Sequence, residues 1–339
     1  MILILSTQDW ERTTEDVMDW IRCLGGECVR INGEDLIGNE GYSIRLATDS
    51  AEARVALGGR EISTSEVGAA WYRRGGRFSE YSVYAEVPDH ETCVQLDGHL
   101  RSEMQGTANA LFALLANKPW LTRPSEARVN KMSALRIAAE LGFEVPATII
   151  TNSRAELEEF RKKHGRIITK AISDGTAFYV NDARCVTFTE EVRAEDIAAL
   201  PERFLPTLAQ ELLEKKYELR IFYLAGRLYP TAIFSQADPR TRIDFRHYNS
   251  TKPNRNVPYR LAPGVEAGIR ELMNALGFTT GSLDFVRTAD DRLVFLEVNP
   301  VGQFGITSTL CNYKLEKDVA QHLLSLSASE RGTTKGAHG

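Results

Sequence analysis

Apolar residues change their spacing along this chain, and each spacing predicts an element. Met1 to Ser6, MILILS, is an apolar run of strand length. Asp9 to Leu24 sets Val17, Met18, Trp20, Ile21 and Leu24 on one helical face, and Gly25-Gly26 stops it. Cys28 to Ile31 follows as a strand, a βαβ opening that predicts a small open parallel sheet. Ala69 to Tyr72 reads as a further buried strand, ending in Arg73, Arg74 and Gly75-Gly76. Two arginines at a strand end suit either an anion site or a solvated edge. His90 to Ala116 reads as a long helix with Leu96, Leu100, Met104, Ala108 and Leu111 in register, ended by Asn117-Lys118-Pro119.

From Trp120 the pattern changes. Pro124-Ser125 starts a helix containing Arg128, Lys131 and Leu135 and ending at Gly142. Thr148 to Thr151 is a strand, Ser153 to Gly165 a charged helix, and Arg166 to Ala171 a strand with Lys170 near its end. The short loop Ser173-Asp174-Gly175-Thr176 comes next, and Phe178 to Val180 with Cys185 to Phe188 forms a hairpin. Pro206 to Leu213 is a strand. Tyr217 to Leu224 alternates, placing Glu218, Arg220 and Phe222 on one face, and Leu228 to Ser235 returns after a turn at Gly226. Ser235 to Tyr259 is polar and irregular, a length that is usually functional inside a compact domain. Val265 to Leu276 is an amphipathic helix, Lys314 to Leu326 a final one, and Ser327 to Gly339 a disordered tail rich in Ser, Gly and Thr.

The most informative stretch is Gly281 to Gln303, GSLDFVRTADDRLVFLEVNPVGQ. Leu283 to Thr288 and Arg292 to Val298 read as strands around an acidic turn. The two-residue period puts Leu293, Phe295, Glu297 and Asn299 on one face. Pairing Thr288 with Leu293 sets Asp284 opposite Glu297. Two carboxylates and an amide oxygen then converge, a donor set that suits Mg²⁺.

The chain has 339 residues, a hydrophobic content of 43% and a net charge of −5. That charge gives no support to a nucleic-acid partner. No run spans a membrane, and MILILS is too short and too flanked by polar residues for a signal peptide, so a cytoplasmic protein is expected. Five scattered cysteines and six histidines show no metal or disulfide spacing. No Gly-x-Ser-x-Gly elbow or GxGxxG is present.

LDFVRTADDRLVFLEVNPVGQFG resembles the metal-binding end of an ATP-grasp ligase, and CNYKLEKDVAQHLL is similar to the peptide maturases of graspetide pathways, in the grasp-with-spasm branch related to microviridin ligases. The resemblance runs from Met1 to about Leu326. It implies an α/β (α+β) protein: an ATP-grasp fold behind an N-terminal open parallel-sheet domain. It also implies ATP and Mg²⁺ as cofactors and a precursor peptide, leader and core, as partner, with a homodimer as a possible assembly. Within it, Lys131 matches the first nucleotide lysine, although alone it reads as a surface charge. Lys170 points at phosphates beside a flexible loop. Gln210, Glu211 and Leu213 match the hinge that reads adenine. Glu218 and Arg220 match a further signature, with the arginine on triphosphate. Asp284, Glu297 and Asn299 hold the metal. Asp244-Phe245-Arg246 matches a substrate-side motif, with Arg246 gripping an acceptor carboxylate, so Lys170, Arg220 and Arg246 are the catalytic candidates. Phe178, Val180, Val186 and Phe188 would hold the leader, although each alone reads as ordinary core.

The expected organisation is 1–118, an N-terminal pre-ATP-grasp domain; 119–205, a central subdomain with the hairpin; 206–326, a C-terminal subdomain with the Mg-nucleotide site; and 327–339, a tail. Three readings follow: a macrocyclase that joins Asp or Glu side chains of a peptide to its own Ser, Thr or Lys; another ATP-grasp carboxylate–amine ligase adding an amino acid; or a nucleotide-binding regulator without turnover.

Overall fold

The structure, a computed structural model, describes residues 1–7, 11–36, 41–48, 50–57, 59–74, 89–173, 175, 177–180, 183–238, 241–244 and 253–335. The chain forms two compact units, Met1–Ala127 with Lys314–Gly339, and Arg128–Tyr313. Reading the sequence placed boundaries at 118, 205 and 326. The contacts place them at 127 and 313 and assign the last helix to the N-terminal unit.

In the first unit β1 (Ile2–Ser6), α1 (Arg12–Cys23) and β2 (Cys28–Asn32) form the expected βαβ opening. Three antiparallel strands, β3 (Tyr42–Ala47), β4 (Ser50–Leu57) and β5 (Arg60–Ser63), then make a small sheet that the apolar pattern does not announce. Its first strand is largely exposed, and among the described residues its buried apolar side chains are Ala53, Val55 and Ile62. β6 (Ala69–Tyr72) pairs parallel with β1, which lies between it and β2. Every residue of β1 is buried, which is why it reads as a run and not as an alternation. Leu3 and Leu5 pack against Leu111 and Leu115 of α2 (His90–Leu114) and its continuation.

The last helix, Leu315–Lys335, packs on α1 and buries Leu315, Val319, Ala320 and Leu323. It continues nine residues past Leu326, the last position expected to be helical, so the expected disordered tail begins inside a helix. Gly25 ends α1 with φ +79°, a conformation that favours glycine, and a Cβ on Gly26 would press on a Leu324 methyl. Arg73 is buried with Glu11 at 3.3 Å, and Glu11 also holds Arg74. Burial lowers the Arg73 guanidinium to about 10 while Glu11 opposes the shift, so it stays charged at neutral pH. The first of the two strand-end arginines is thus an internal ion pair and not a solvated edge.

The second unit begins with α3 (Lys131–Glu140). The sequence suggests a helix from Pro124. Instead a single 3₁₀ turn occupies Pro124–Glu126, and Asn130 caps a new helix by accepting from the Ser133 N–H at 3.0 Å. Lys131 therefore stands at the first helical position. β7 (Thr148–Ser153), α4 (Arg154–His164) and β8 (Ile167–Lys170) follow, then the hairpin β9 (Ala177–Val180) and β10 (Ala183–Val186). After β11 (Glu190–Val192) and α5 (Ala194–Ala198) comes β12 (Arg203–Glu211), and one sheet runs β11-β8-β12-β7.

The larger sheet is wholly antiparallel. Its strands are β13 (Lys215–Leu224), β14 (Arg227–Phe234), β15 (Arg255–Pro258), β16 (Thr280–Thr288) and β17 (Leu293–Asn299), in the order β15-β14-β13-β16-β17. One face buries Leu219, Ile221, Leu283, Phe285, Phe295 and Val298 against α3 and α6 (Pro263–Ala275). The ring centroids of Phe285 and Phe295 are 5.3 Å apart, and Phe143 lies 5.6 Å from Phe285. α7 (Gly305–Cys311) closes the unit. No described helix is long and apolar enough to cross a membrane.

Candidate active site

β16 and β17 build one wall of the site through an irregular register. Arg287 pairs with Leu293, Val286 with Val294 and Phe285 with Phe295, but Asp284 pairs with Glu297 and Ser282 with Asn299. Leu296 is the extra residue, a β-bulge. The expected pairing of Asp284 with Glu297 holds, and the expected start at Thr288–Leu293 is one residue out. The expected common face does not hold. Leu293 and Phe295 pack in the core, whereas Glu297 and Asn299 line a pocket, because the bulge inverts the alternation between them. The same inversion returns Val298 to the core beside Leu283.

β13 supplies the middle of the wall. Leu219 and Ile221 go to the core, and Glu218 and Arg220 line the pocket, as the two-residue period requires. Arg220 pairs with Asp284 in the ladder, and its Nη1 lies 3.4 Å from both carboxylate oxygens. Lys131 and Lys170 converge on Glu297, at 3.9 and 3.6 Å. Lys131 also donates to the Ala171 carbonyl at 2.8 Å, which ties the start of α3 to the end of β8.

The pocket thus opposes cations and carboxylates. Two lysines meet Glu297, and one arginine meets Asp284. A polyanion entering here takes up the cations and releases the carboxylates, which are then available to a hard metal ion. The donor set fits such an ion: Asp284 and Glu297 face each other, and Asn299 follows on the same wall. Among the described residues no group of three His, Cys, Asp or Glu forms a ready metal cluster. The third donor here is an amide. The Asn299 Oδ1 accepts from the Val301 N–H at 3.1 Å, and Gly302 beyond it turns with φ +64°.

The hinge candidates Gln210, Glu211 and Leu213 line the same pocket. Gln210 donates to the Thr148 hydroxyl at 2.9 Å, and the Glu211 carboxylate accepts from the Ala147 N–H at 3.1 Å. The Leu212 N–H is taken by the Arg166 carbonyl. Leu213 lies between β12 and β13, outside either strand. Ile168, Leu213, Val286 and Leu296 give this end apolar walls suited to a flat ring.

Phe188 and Asp244 also line the pocket, and Asp244 accepts from the Thr189 N–H at 3.2 Å. The hairpin forms, but its register pairs Phe178 with Cys185, Val180 with Ala183 and Val186 with Ala177. Phe178 and Val186 therefore hold register positions of opposite parity, and the four apolar candidates do not make one stripe. Arg246 lies outside the described residues. Two basic residues that the sequence reading does not nominate line the pocket, Arg242 and Lys215. Alternation from Glu218 nominates Lys216. A register shift between Lys215 and Tyr217 presents Lys215 instead, and Lys216 pairs outward with Asp291 at 3.0 Å. No residue pattern signals that shift.

No protein-family model and no curated protein matches the chain. Solved structures do. A RiPP-associated ATP-grasp ligase of Chryseobacterium gregarium, in complex with ADP and a leader and core peptide, is 25% identical with a TM-score of 0.85, over 96% of each chain. The chain has the ATP-grasp fold. The macrocyclase MdnC of Microcystis aeruginosa, bound with precursor peptide MdnA, is 23% identical at TM-score 0.79, over 96% of this ATP-grasp chain and 99% of its own. A RimK domain ATP-grasp protein of Sphaerobacter thermophilus matches at 14% identity and TM-score 0.52, over 96% of this chain and 100% of its own. Likeness to the peptide-bound ATP-grasp ligases is therefore the stronger, and it extends through both units.

Proposed function

We propose that this ATP-grasp chain is an ADP-forming ligase that phosphorylates Asp or Glu side chains of a ribosomally made precursor peptide and closes ester or amide crosslinks to Ser, Thr or Lys of the same peptide. The observation that carries the reading is the pocket in which Lys131, Lys170 and Arg220 oppose Asp284 and Glu297, on a fold matched over 96% of its length to a ligase solved with ADP and a leader and core peptide. A cytoplasmic location is part of the proposal. A homodimer remains part of the proposal.

A carboxylate does not acylate an alcohol or amine at neutral pH, so it must first gain a leaving group. A substrate carboxylate oxygen bonds the γ-phosphorus of ATP while the bond from that phosphorus to ADP breaks. A substrate hydroxyl or amine then bonds the acyl carbon. Inorganic phosphate leaves with the electrons of the broken C–O bond, and the nucleophile gives up its proton. Lys131, Lys170 and Arg220 hold the phosphates and offset the charge of two anions brought together. Asp284, Glu297 and Asn299 would hold Mg²⁺, which neutralises charge on the phosphoryl oxygens when bound. The hinge from Gln210 to Leu213 takes the base. Arg246 grips the acceptor carboxylate, and the hairpin Phe178 to Phe188 receives the leader. No protein nucleophile is needed.

Intact mass spectrometry of a candidate precursor with enzyme, ATP and Mg²⁺ tests the proposal. Each ring removes one water, a loss of about 18 Da with one ATP converted to ADP. An amino-acid ligase would add the mass of a residue, and a kinase would leave a phosphopeptide. Either outcome, or an unchanged peptide, overturns the macrocyclase reading.

A further inference from the structure

Lys215 has no part in the scheme above, yet it is among the most enclosed cations of the pocket. Its side chain is 10% exposed, and it donates to two acceptors, Glu218 Oε1 at 2.8 Å and the Ile243 carbonyl at 2.9 Å. Glu218 belongs to the central strand of the nucleotide wall. Ile243 belongs to the turn that precedes the substrate-side motif. Arg242, Ile243 and Asp244 all line the pocket.

The turn has no ladder of its own. The Thr241 hydroxyl donates to the Ser235 carbonyl at 2.6 Å and its N–H to the Asp238 carbonyl at 3.1 Å, so the turn closes on itself. The Ser235 hydroxyl donates to the same Glu218 oxygen that Lys215 holds, at 2.7 Å. Asp244, at the far end, accepts from Thr189. Lys215 therefore joins β13 to the turn by a charge-assisted bond to a main-chain carbonyl, while Glu218 keeps that charge paired in a buried place.

We infer that Lys215 is a positioning residue: it holds the 241–244 turn against β13 so that Asp244 is placed to meet the peptide acceptor beside the nucleotide. The inference rests on the ligase reading for its kinetic consequence and not for its structural one. Lys216, its neighbour, points outward to Asp291 and has no such role.

Lys215→Met and Thr241→Val provide the test. The first removes the anchor from the β13 side, and the second loosens the turn without touching Glu218. Both should raise the peptide KM tenfold or more, with kcat at saturating peptide lowered less. In Thr241→Val, nucleotide affinity should stay within threefold. Hydrogen exchange across 241–244 should quicken in both variants, in the absence of any substrate. A purely structural lysine would lower kcat, peptide affinity and nucleotide affinity together. Unchanged exchange across 241–244, or an unchanged peptide KM in folded Thr241→Val protein, overturns the inference. If wild-type enzyme modifies no peptide but exchange still quickens in Lys215→Met, the anchor stands and the ligase reading fails.

Discussion

Glu297→Gln should move nucleotide binding and turnover in opposite directions. Glu297 lies 3.6 Å from Lys170 Nζ and 3.9 Å from Lys131 Nζ, with its side chain 30% exposed. A nucleotide that arrives without metal must compete with this carboxylate for both lysines and meets its repulsion. At about 4 Å a unit pair is worth about 1 kcal/mol in water and about 4 kcal/mol at an effective dielectric near 20. Partly exposed pairs measure at the low end of that range. The two contacts together then oppose metal-free binding by about 1 to 2 kcal/mol, roughly five- to thirtyfold in affinity. Neutralising Glu297 should tighten ATP binding in EDTA by that factor. With Mg²⁺ the gain should vanish, because the same change removes a metal donor, and turnover should fall by at least a hundredfold, roughly the cost of one lost charge-stabilising group. Titration of a fluorescent ATP analogue with and without Mg²⁺, beside an ADP-release assay, reads both quantities. Unchanged or weaker binding in EDTA would refute the counter-ion role. Wild-type turnover would refute the metal assignment.

Two further outcomes follow from the packing. Deleting Leu296 should remove the bulge and make Phe295 and Glu297 consecutive, so that plain alternation keeps Phe295 in the core and Glu297 in the pocket and the fold survives. The melting temperature by circular dichroism should then stay near that of the wild type, because no carboxylate enters the core; a chain that no longer folds would sink the argument. Glu191 meets Arg166 through two bonds of 2.7 Å, and the Arg166 guanidinium holds its carboxyl below the ordinary value of 4.5. A depressed carboxyl stabilises the fold fully above its unfolded value and loses that contribution as pH falls through the folded one. Glu191→Gln should therefore be less stable than wild type at neutral pH in urea unfolding, with the gap closing below about pH 4; a gap constant in pH would contradict the pairing.

Read alone, the chain specified its local elements where pattern and neighbours agree. MILILS is a buried strand because both of its faces are apolar. Glu218 and Arg220 share a face because nothing interrupts the period between them. Most candidates, from Lys131 to Asn299, could be named because the residues around them resemble the motifs of a known family, whose phosphate and metal chemistry permits few side-chain types. What sequence could not supply was register. A bulge at Leu296 separates Phe295 from Glu297, and a shift at Lys216 selects Lys215 over its neighbour. Each follows from hydrogen-bond pairing across strands distant in the chain, a property of no single segment. The helix start at Asn130 and the sheet from Tyr42 to Ser63 likewise depend on what packs against them. Only the folded chain determines that lysines near 131 and 170 meet a carboxylate at 297, because residues so far apart are brought within 4 Å by the packing of a helix and two sheets.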